Sequence, residues 1–392
     1  MTCQESYLKP VRRSPVPVII SLLGNRRQPR CLLTACVARS FWMRGVLFAV
    51  FLVAACATVS AADSYTDAIS AVHRDDYDLA ARLFRPLAEQ GHAGAQSFLA
   101  VLYANGQGVL QSHEAAARWY RKAADQGDAA AQFQLGMLSV GGQGMPQNYE
   151  MAWQWYQRAA EQGVAAAQFQ LGRLYDNGQG VSQSYEEAAQ WYRRAAEQEH
   201  ARAQSHLGLL HARGQGLPKD YRLAIQWYRR AAEQGDALAQ FQLGVLYANG
   251  WGVPRNYEIA GQWYRRAAEQ GDAVAQFNLA VRYDNGQGVP QSYKEAGRWY
   301  RLAAQQGHAR AQSNLGVLYA NGQGMPKDVI RAYMWLTVAV AGSRGDDVKT
   351  ATMNQATVAS DLTAAQIAQG QEMARRCQDS QFLLCEVKEK VP

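Results

Sequence analysis

Residues 237–253 read ALAQFQLGVLYANGWGV, and residues 260–271 read AGQWYRRAAEQG. In the first stretch Ala239, Leu243, Gly244 and Tyr247 are apolar or small at i, i+4, i+5 and i+8, the spacing of one helical face. Gly250 and Gly252 close that helix, as a left-handed C-cap and a sharp turn require. Asn256 is a good N-cap for a second helix, on which Ala260, Trp263, Tyr264, Ala267 and Ala268 share a face before Gly271 stops it. The segment encodes a helix-turn-helix unit.

The unit recurs. Trp119, Trp155, Trp191, Trp227, Trp263, Trp299 and Trp335 are each 36 residues apart, and the glutamines from Gln96 to Gln312 keep the same step. Seven copies occupy 92–127, 128–163, 164–199, 200–235, 236–271, 272–307 and 308–343. Self-similarity at this period predicts stacked units that bury a continuous core between neighbours, an all-α solenoid. The leucine column (Leu99 to Leu315) never varies, and the next column holds only Gly or Ala, which admits a neighbouring helix closely. Ser112, Asn148, Ser184, Asp220, Asn256, Ser292 and Asp328 form a capping column for the second helices.

The ends depart from the pattern. Residues 62–91 read as an N-terminal half-repeat cap, with Leu83 and Phe84 in the Trp-Tyr columns. Trp335-Leu336-Thr337-Val338-Ala339-Val340 replaces the usual Trp-Tyr-Arg-Arg-Ala-Ala, so the solvated arginines become neutral or apolar and that helix needs a cover. Residues 344–392 supply one: a C-terminal helical cap with helices near 346–359 and 364–378, the latter capped by Thr363 with Gln366 as its capping-box partner.

The net charge of +7 is concentrated in the N-terminal leader. Residues 1–42 carry seven Lys/Arg against Glu5 alone, Arg44 adds one more, and 62–392 hold 32 charges of each sign. A neutral body without a basic stripe argues against nucleic-acid binding. Arg44 followed by the apolar run Val46–Ala55 has the form of a signal peptide, too short to span a bilayer, with small residues Val59 and Ala61 placed for cleavage. Met43 is the expected start, 1–42 upstream sequence, and 43–61 the signal. Val53-Ala54-Ala55-Cys56 also fits a relaxed lipobox, which would lipidate Cys56 and provide the one route to a membrane. The expected location is periplasmic or secreted, with an outer-membrane lipoprotein as the alternative. Cys377 and Cys385, the two cysteines of the body, suit one local disulfide in an oxidising compartment.

Catalytic motifs are lacking: no zincin spacing, nucleophile elbow, Walker loop or paired catalytic acids. No metal or cofactor is called for. The Gly-x-Gly pairs read as turns, the Trp-Tyr ladder as core, and Arg193-Arg194, Arg229-Arg230 and Arg265-Arg266 as a solvated face with ion pairs to Glu197, Glu233 and Glu269. His200, His206 and His211 share a helix, but spacings of six and five do not align them on one face.

The two motifs quoted at the outset resemble those of the Sel-1-like repeat family, relatives of the tetratricopeptide solenoids, and the resemblance extends over roughly 64–376. Local departures are Ser139 and His211 in the tyrosine column, Trp251 between paired glycines, and Glu199 at a closing glycine. The resemblance implies a right-handed superhelix whose first helices line a concave surface. Columns 94, 97, 101 and 104 would then face inward. Column 97 reads Ser97, Phe133, Phe169, Ser205, Phe241, Phe277, Ser313, a three-copy pattern shared by His92, His200 and His308. One reading makes Phe133, Phe169, Phe241 and Phe277 apolar anchors for a peptide, with Arg173, Asp176, Arg202, Asp284 and Arg310 as polar tethers. The other packs these phenylalanines between units. The function implied is an exported adaptor for a protein or peptide partner in the cell envelope. A secreted factor acting on host cells is one alternative. A cell-wall or β-lactam hydrolase is the other, disfavoured because the cysteine-rich relatives for which it was proposed carry disulfides within their repeats, whereas 57–376 contains no cysteine.

Overall fold

The computed structural model describes residues 64–382 and residue 385. The leader 1–42, the signal 43–61 and Cys56 lie outside the described residues. Every regular element among the described residues is a helix. The chain divides after Ala167 into two compact units. The first holds α1 (64–73), α2 (Tyr77–Glu89), α3 (Ala93–Asn105), α4 (His113–Asp125), α5 (Ala129–Gly141) and α6 (Tyr149–Glu161). Next comes α7 (Ala165–Asn177), and then the helices of the second unit. These are α8 (Tyr185–Glu197), α9 (Ala201–Arg213), α10 (Tyr221–Glu233), α11 (Ala237–Asn249), α12 (Tyr257–Glu269) and α13 (Ala273–Asn285), followed by α14 (Tyr293–Ala304), α15 (Ala309–Asn321) and α16 (Val329–Gly342). Two more, α17 (Asp346–Ala359) and α18 (Ala364–Asp379), complete it. Within each unit a first helix packs on its own second helix and on the second helix of the preceding repeat. This is the helix-turn-helix solenoid.

Local chemistry sets the helix ends. Each residue of the second-helix capping column accepts a backbone N–H of the first turn, as Asn256 does from Ile259 at 3.0 Å. First helices of the repeats end on left-handed glycines, such as Gly178 at φ 65° and Gly250 at φ 74°. The second glycine of each pair answers a different need. A Cβ on Gly288 would lie 2.2 Å from the carbonyl carbon of Tyr257, so the turn rests directly on the backbone of the preceding repeat. Glu199 occupies the left-handed region at φ 62° where other copies carry glycine.

The invariant leucines are buried, as are the tyrosines of the second helices, including Tyr192, Tyr228, Tyr264 and Tyr300. The glutamine column is buried too. Gln240 donates to the Ala232 carbonyl at the end of α10 and accepts from Gln270 at the end of its own second helix, at 3.2 and 2.8 Å. Gln276 repeats this with Ala268 and Gln306, and in the first unit Gln96 does so with Ala88 and Gln126. Each glutamine satisfies a helix-terminal carbonyl that packing has removed from water.

At the C-terminal end Met334, Trp335 and Leu336 are fully buried beneath α17 and α18. Gln355 donates to the Thr337 hydroxyl at 2.8 Å, and a Cβ on Gly370 would meet the Tyr333 ring at 2.8 Å. Thr363 and Gln366 form a reciprocal capping box at the start of α18. Cys377 and Cys385 are joined as a disulfide and are both buried.

Gln240→Leu keeps the volume but orphans the Ala232 carbonyl and takes from the Gln270 amide one of its two acceptors, leaving it the Gly235 carbonyl. It should cost about 2–3 kcal/mol in urea unfolding and speed amide exchange where α10 meets α11. A loss below about 0.5 kcal/mol with unchanged exchange would deny the glutamine this role.

Candidate partner-binding surface

The column of Ser97 and Phe133 is a joint between repeats. Ser97 donates to Asp128 at 3.3 Å, and Ser205 to Asp236 at 2.5 Å, each acceptor being the N-cap of the next first helix. Where phenylalanine replaces serine, the N-cap partner in two copies is histidine: Phe169 stacks on His200 at 4.9 Å and Phe277 on His308 at 4.6 Å. All four phenylalanines also lie on the buried tyrosine of their own repeat at 5.8–5.9 Å. Phe169 is only 4% exposed. The reading of these rings as packing between units describes Phe169 and Phe277; as an anchor open to a peptide, Phe169 is corrected. Phe133, Phe241 and Phe277 are half-buried.

The polar residues are engaged as well. Asp176 and Asp284 accept the hydroxyls of Tyr192 and Tyr300 at 3.1 and 2.9 Å. Burial, with the adjacent carboxylate second, pushes both phenols well above their ordinary range. Arg310 binds both oxygens of Asp347 on α17 at 2.9 Å, which makes it a tether for the terminal helices and not one free for a partner. Arg173 is half-buried and donates to Gln170 at 3.2 Å; Arg202 is exposed on the first turn of α9. The structure thus gathers Phe169 and Asp176 around Tyr192, and Phe277 and Asp284 around Tyr300.

Two readings of the second helices and histidines change. The first arginine of a doublet reaches the next repeat's tyrosine: Arg229 donates to Tyr247 at 2.5 Å, and Arg265 to Tyr283. The second lies over a tryptophan of its own helix, Arg194 over Trp191 at 4.4 Å and Arg266 over Trp263 at 4.6 Å. These contacts replace the expected ion pairs with glutamates. Where Ser139 stands in the tyrosine column, Arg121 turns to Asp125 at 3.5 Å and over Trp155. His200 and His206 both reach Phe169, at 4.9 and 5.4 Å, because an N-cap residue leaves the helical spiral and escapes its periodicity.

What remains on the first helices of the second unit is a half-buried apolar row in the column of Val101: Leu209, Val245, Val281 and Val317, with Leu238 and Val274 beside it. These positions make no hydrogen-bonded joint and are suited to apolar side chains of a partner. Among the described residues no cluster of three or more His, Cys, Asp or Glu could hold a metal, and no helix is long and apolar enough to cross a membrane.

The histidine caps carry a pH dependence. His200 and His308 accept the Ala203 and Ala311 amides through Nδ1 at 3.2 Å. Burial lowers both from the ordinary 6.5, with Arg202 and Arg310 adding to the effect and Asp236 and Asp272 opposing it. A depressed folded value means that this stability is complete above the ordinary pKa and is lost as pH falls below it. Between about pH 7 and pH 5, therefore, the second unit should lose about 1 kcal/mol per cap. His200→Asn with His308→Asn keeps cap acceptors that do not titrate and should flatten this portion of a thermal-melt series. An unchanged slope in the double variant would refute the assignment.

Comparison with known proteins gives a consistent answer. The Sel1 repeat model matches residues 71–92, 93–128, 129–164, 165–200, 201–236, 237–272, 273–308 and 309–342. No curated protein matches the chain. Among solved structures, a Sel1 repeat protein from Oxalobacter formigenes is 38% identical, with 64% of this chain and 98% of that chain covered at a TM-score of 0.56. A protective antigen of uropathogenic Escherichia coli displaying an SLR fold is 26% identical, with 86% of this chain and 89% of that one covered at a TM-score of 0.55. With eight matches in unbroken succession over most of its length, this chain belongs to the Sel1 repeat family.

Proposed function

We propose that the protein is an exported scaffold that holds a protein or peptide partner on its first-helix face. The observation that carries this reading is the half-buried apolar row Leu209, Val245, Val281 and Val317, set at one position of successive repeats, the first three packed against the core on one side and partly open on the other. Repeat solenoids present such rows as extended recognition surfaces. Export is supported by the Arg44 and Val46–Ala55 signal pattern and by the disulfide between Cys377 and Cys385. The likeness to a protective antigen of uropathogenic Escherichia coli supports the same placement. Signal-peptide cleavage after Ala61 would release a soluble periplasmic or secreted form; lipidation at Cys56 would tether it to a membrane.

A photo-crosslinking amino acid at Val245 tests the face, with Arg194 on the outer helix as the contrast. Both variants are activated in the producing cell and the adducts identified after fractionation. A defined adduct from Val245, absent from Arg194 and found in the envelope or medium, is the expected result. Adducts from Arg194 alone would move the interface to the second helices. A cytoplasmic protein with an uncleaved N-terminus would overturn export.

A further inference from the structure

Six of the seven repeats carry glutamine between their paired glycines, and the fifth carries Trp251. Its indole is 45% exposed and stacks on Tyr221 at 5.5 Å with 17° between the planes. The seat is fixed by backbone: a Cβ on the adjoining Gly252 would lie 2.6 Å from the Tyr221 Cβ and 3.2 Å from the Arg222 nitrogen, so this turn sits on the first residues of α10.

The charge of this edge also departs from most other repeats, with only Lys327 of the seventh also cationic in the column of Lys219. Gln147, Gln183 and Gln291 each donate to a carbonyl near the end of the first helix and to the tyrosine two residues on, for example Gln183 to Asp176 at 2.7 Å and to Tyr185 at 3.1 Å. In the fourth and fifth repeats the same column holds Lys219 and Arg255, which lie over Tyr221 and Tyr257 at 4.9 and 5.4 Å. Arg222 stands where the first three repeats and the fifth have glutamate. Lys219, Arg222 and Arg255 are exposed, and among the described residues none forms an ion pair. Asp220 is committed to capping α10 through Arg222 and Leu223, which leaves Glu258 as the opposing acid at the next helix start. The result is an aromatic platform ringed by cations on a body whose charges balance as a whole.

We propose that this loop edge, from Lys219 to Tyr257, docks an acidic segment of a protein partner that carries an aromatic or large apolar side chain. The proposal rests on the reading of the protein as a partner-binding scaffold and adds a second contact, separate from the first-helix row. An exposed face of a stacked indole rewards a planar or apolar group, and the surrounding cations select carboxylates beside it. Trp, Tyr and Arg are also the residue types that dominate binding energy at protein interfaces. A nucleic-acid strand fits less well, because the neutral glutamines at 183 and 291 interrupt the cationic track that a phosphate backbone would follow.

The test uses a random dodecapeptide display library, panned in parallel on the full chain and on the triple variant K219Q/W251Q/R255Q. Each substitution installs the glutamine that other repeats carry at that column, and circular dichroism confirms the fold. Peptides enriched only on the native chain should combine Asp or Glu with Trp, Tyr, Phe or Leu. The leading synthetic peptide should bind the native chain at least about ten-fold more tightly than the variant. It should also move the fluorotryptophan resonance that W251Q removes. Equal enrichment on both chains would overturn the loop edge while leaving the scaffold reading intact. Enrichment on neither would overturn both. Tighter binding of a dT oligonucleotide, lost in the triple variant, would overturn the protein partner.

Discussion

The buried glutamine at the second turn-facing position of every first helix is the constraint on which the solenoid depends. A helix leaves its last carbonyls unpaired, and stacking repeats against one another buries them. Gln240 resolves this because one side chain carries both a donor and an acceptor, reaching the Ala232 carbonyl with the first and receiving Gln270 with the second. The two bonds tie a first helix to the end of the preceding repeat and to the end of its own. They span eight and thirty residues, and an insertion in either interval would break one of them. The constant period is thus a requirement of hydrogen bonding in a dry joint, and the alanines beside it, such as Ala231 and Ala232, keep the helices close enough for the ladder to form.

On this invariant frame a second joint varies. Serine facing an aspartate cap and phenylalanine facing a histidine cap are two solutions to one contact, a charge-assisted hydrogen bond in the first case and a ring stack in the second. The aspartate joint is a hydrogen bond to a serine hydroxyl, with no imidazole in it. The histidine joint is sensitive to acid, since protonating Nδ1 removes the acceptor that caps the helix. The second unit therefore sets the hydrogen-bonded joint of Ser205 and Asp236 between acid-sensitive ones at His200 and His308.

Much of the fold was legible because the repeat supplies its own comparison. Columns that never change, such as the leucines, glycines and Ser/Asn/Asp caps, announce their duties through the geometry they must satisfy. The terminal helices were legible for a related reason: Thr337 and Val338 are uncharged where most other copies carry arginine or lysine, which demands a cover. The candidate site was less legible. Whether Phe169 faces solvent or a neighbour depends on which residue stands opposite it, and His200 lies outside the helical spiral, where periodicity gives no guidance. Arg202 and Arg310 share a column, yet Arg310 alone has a carboxylate beside it, since Asp347 arrives from a helix outside the repeat. The roles of the arginine doublets were hidden because their partners are tyrosines eighteen residues away, beyond the range of helical pairing rules.

Once the joints are assigned, few side chains are left for recognition. The glutamine, leucine and tyrosine columns are consumed by the stack, and most column-97 residues link one repeat to the next. Specificity must therefore come from columns that the stack leaves half open or from copies that abandon the shared residue. The apolar first-helix row is of the first kind and Trp251 of the second. Glutamine at that turn serves six repeats, so the indole in the fifth, although one face stacks on Tyr221, leaves apolar surface in water. Its neighbours Lys219 and Arg255 also forgo the hydrogen bonds that glutamine makes in other copies. Three departures that each relinquish a local interaction, and that meet at one edge, are best explained by a contact made beyond the chain itself.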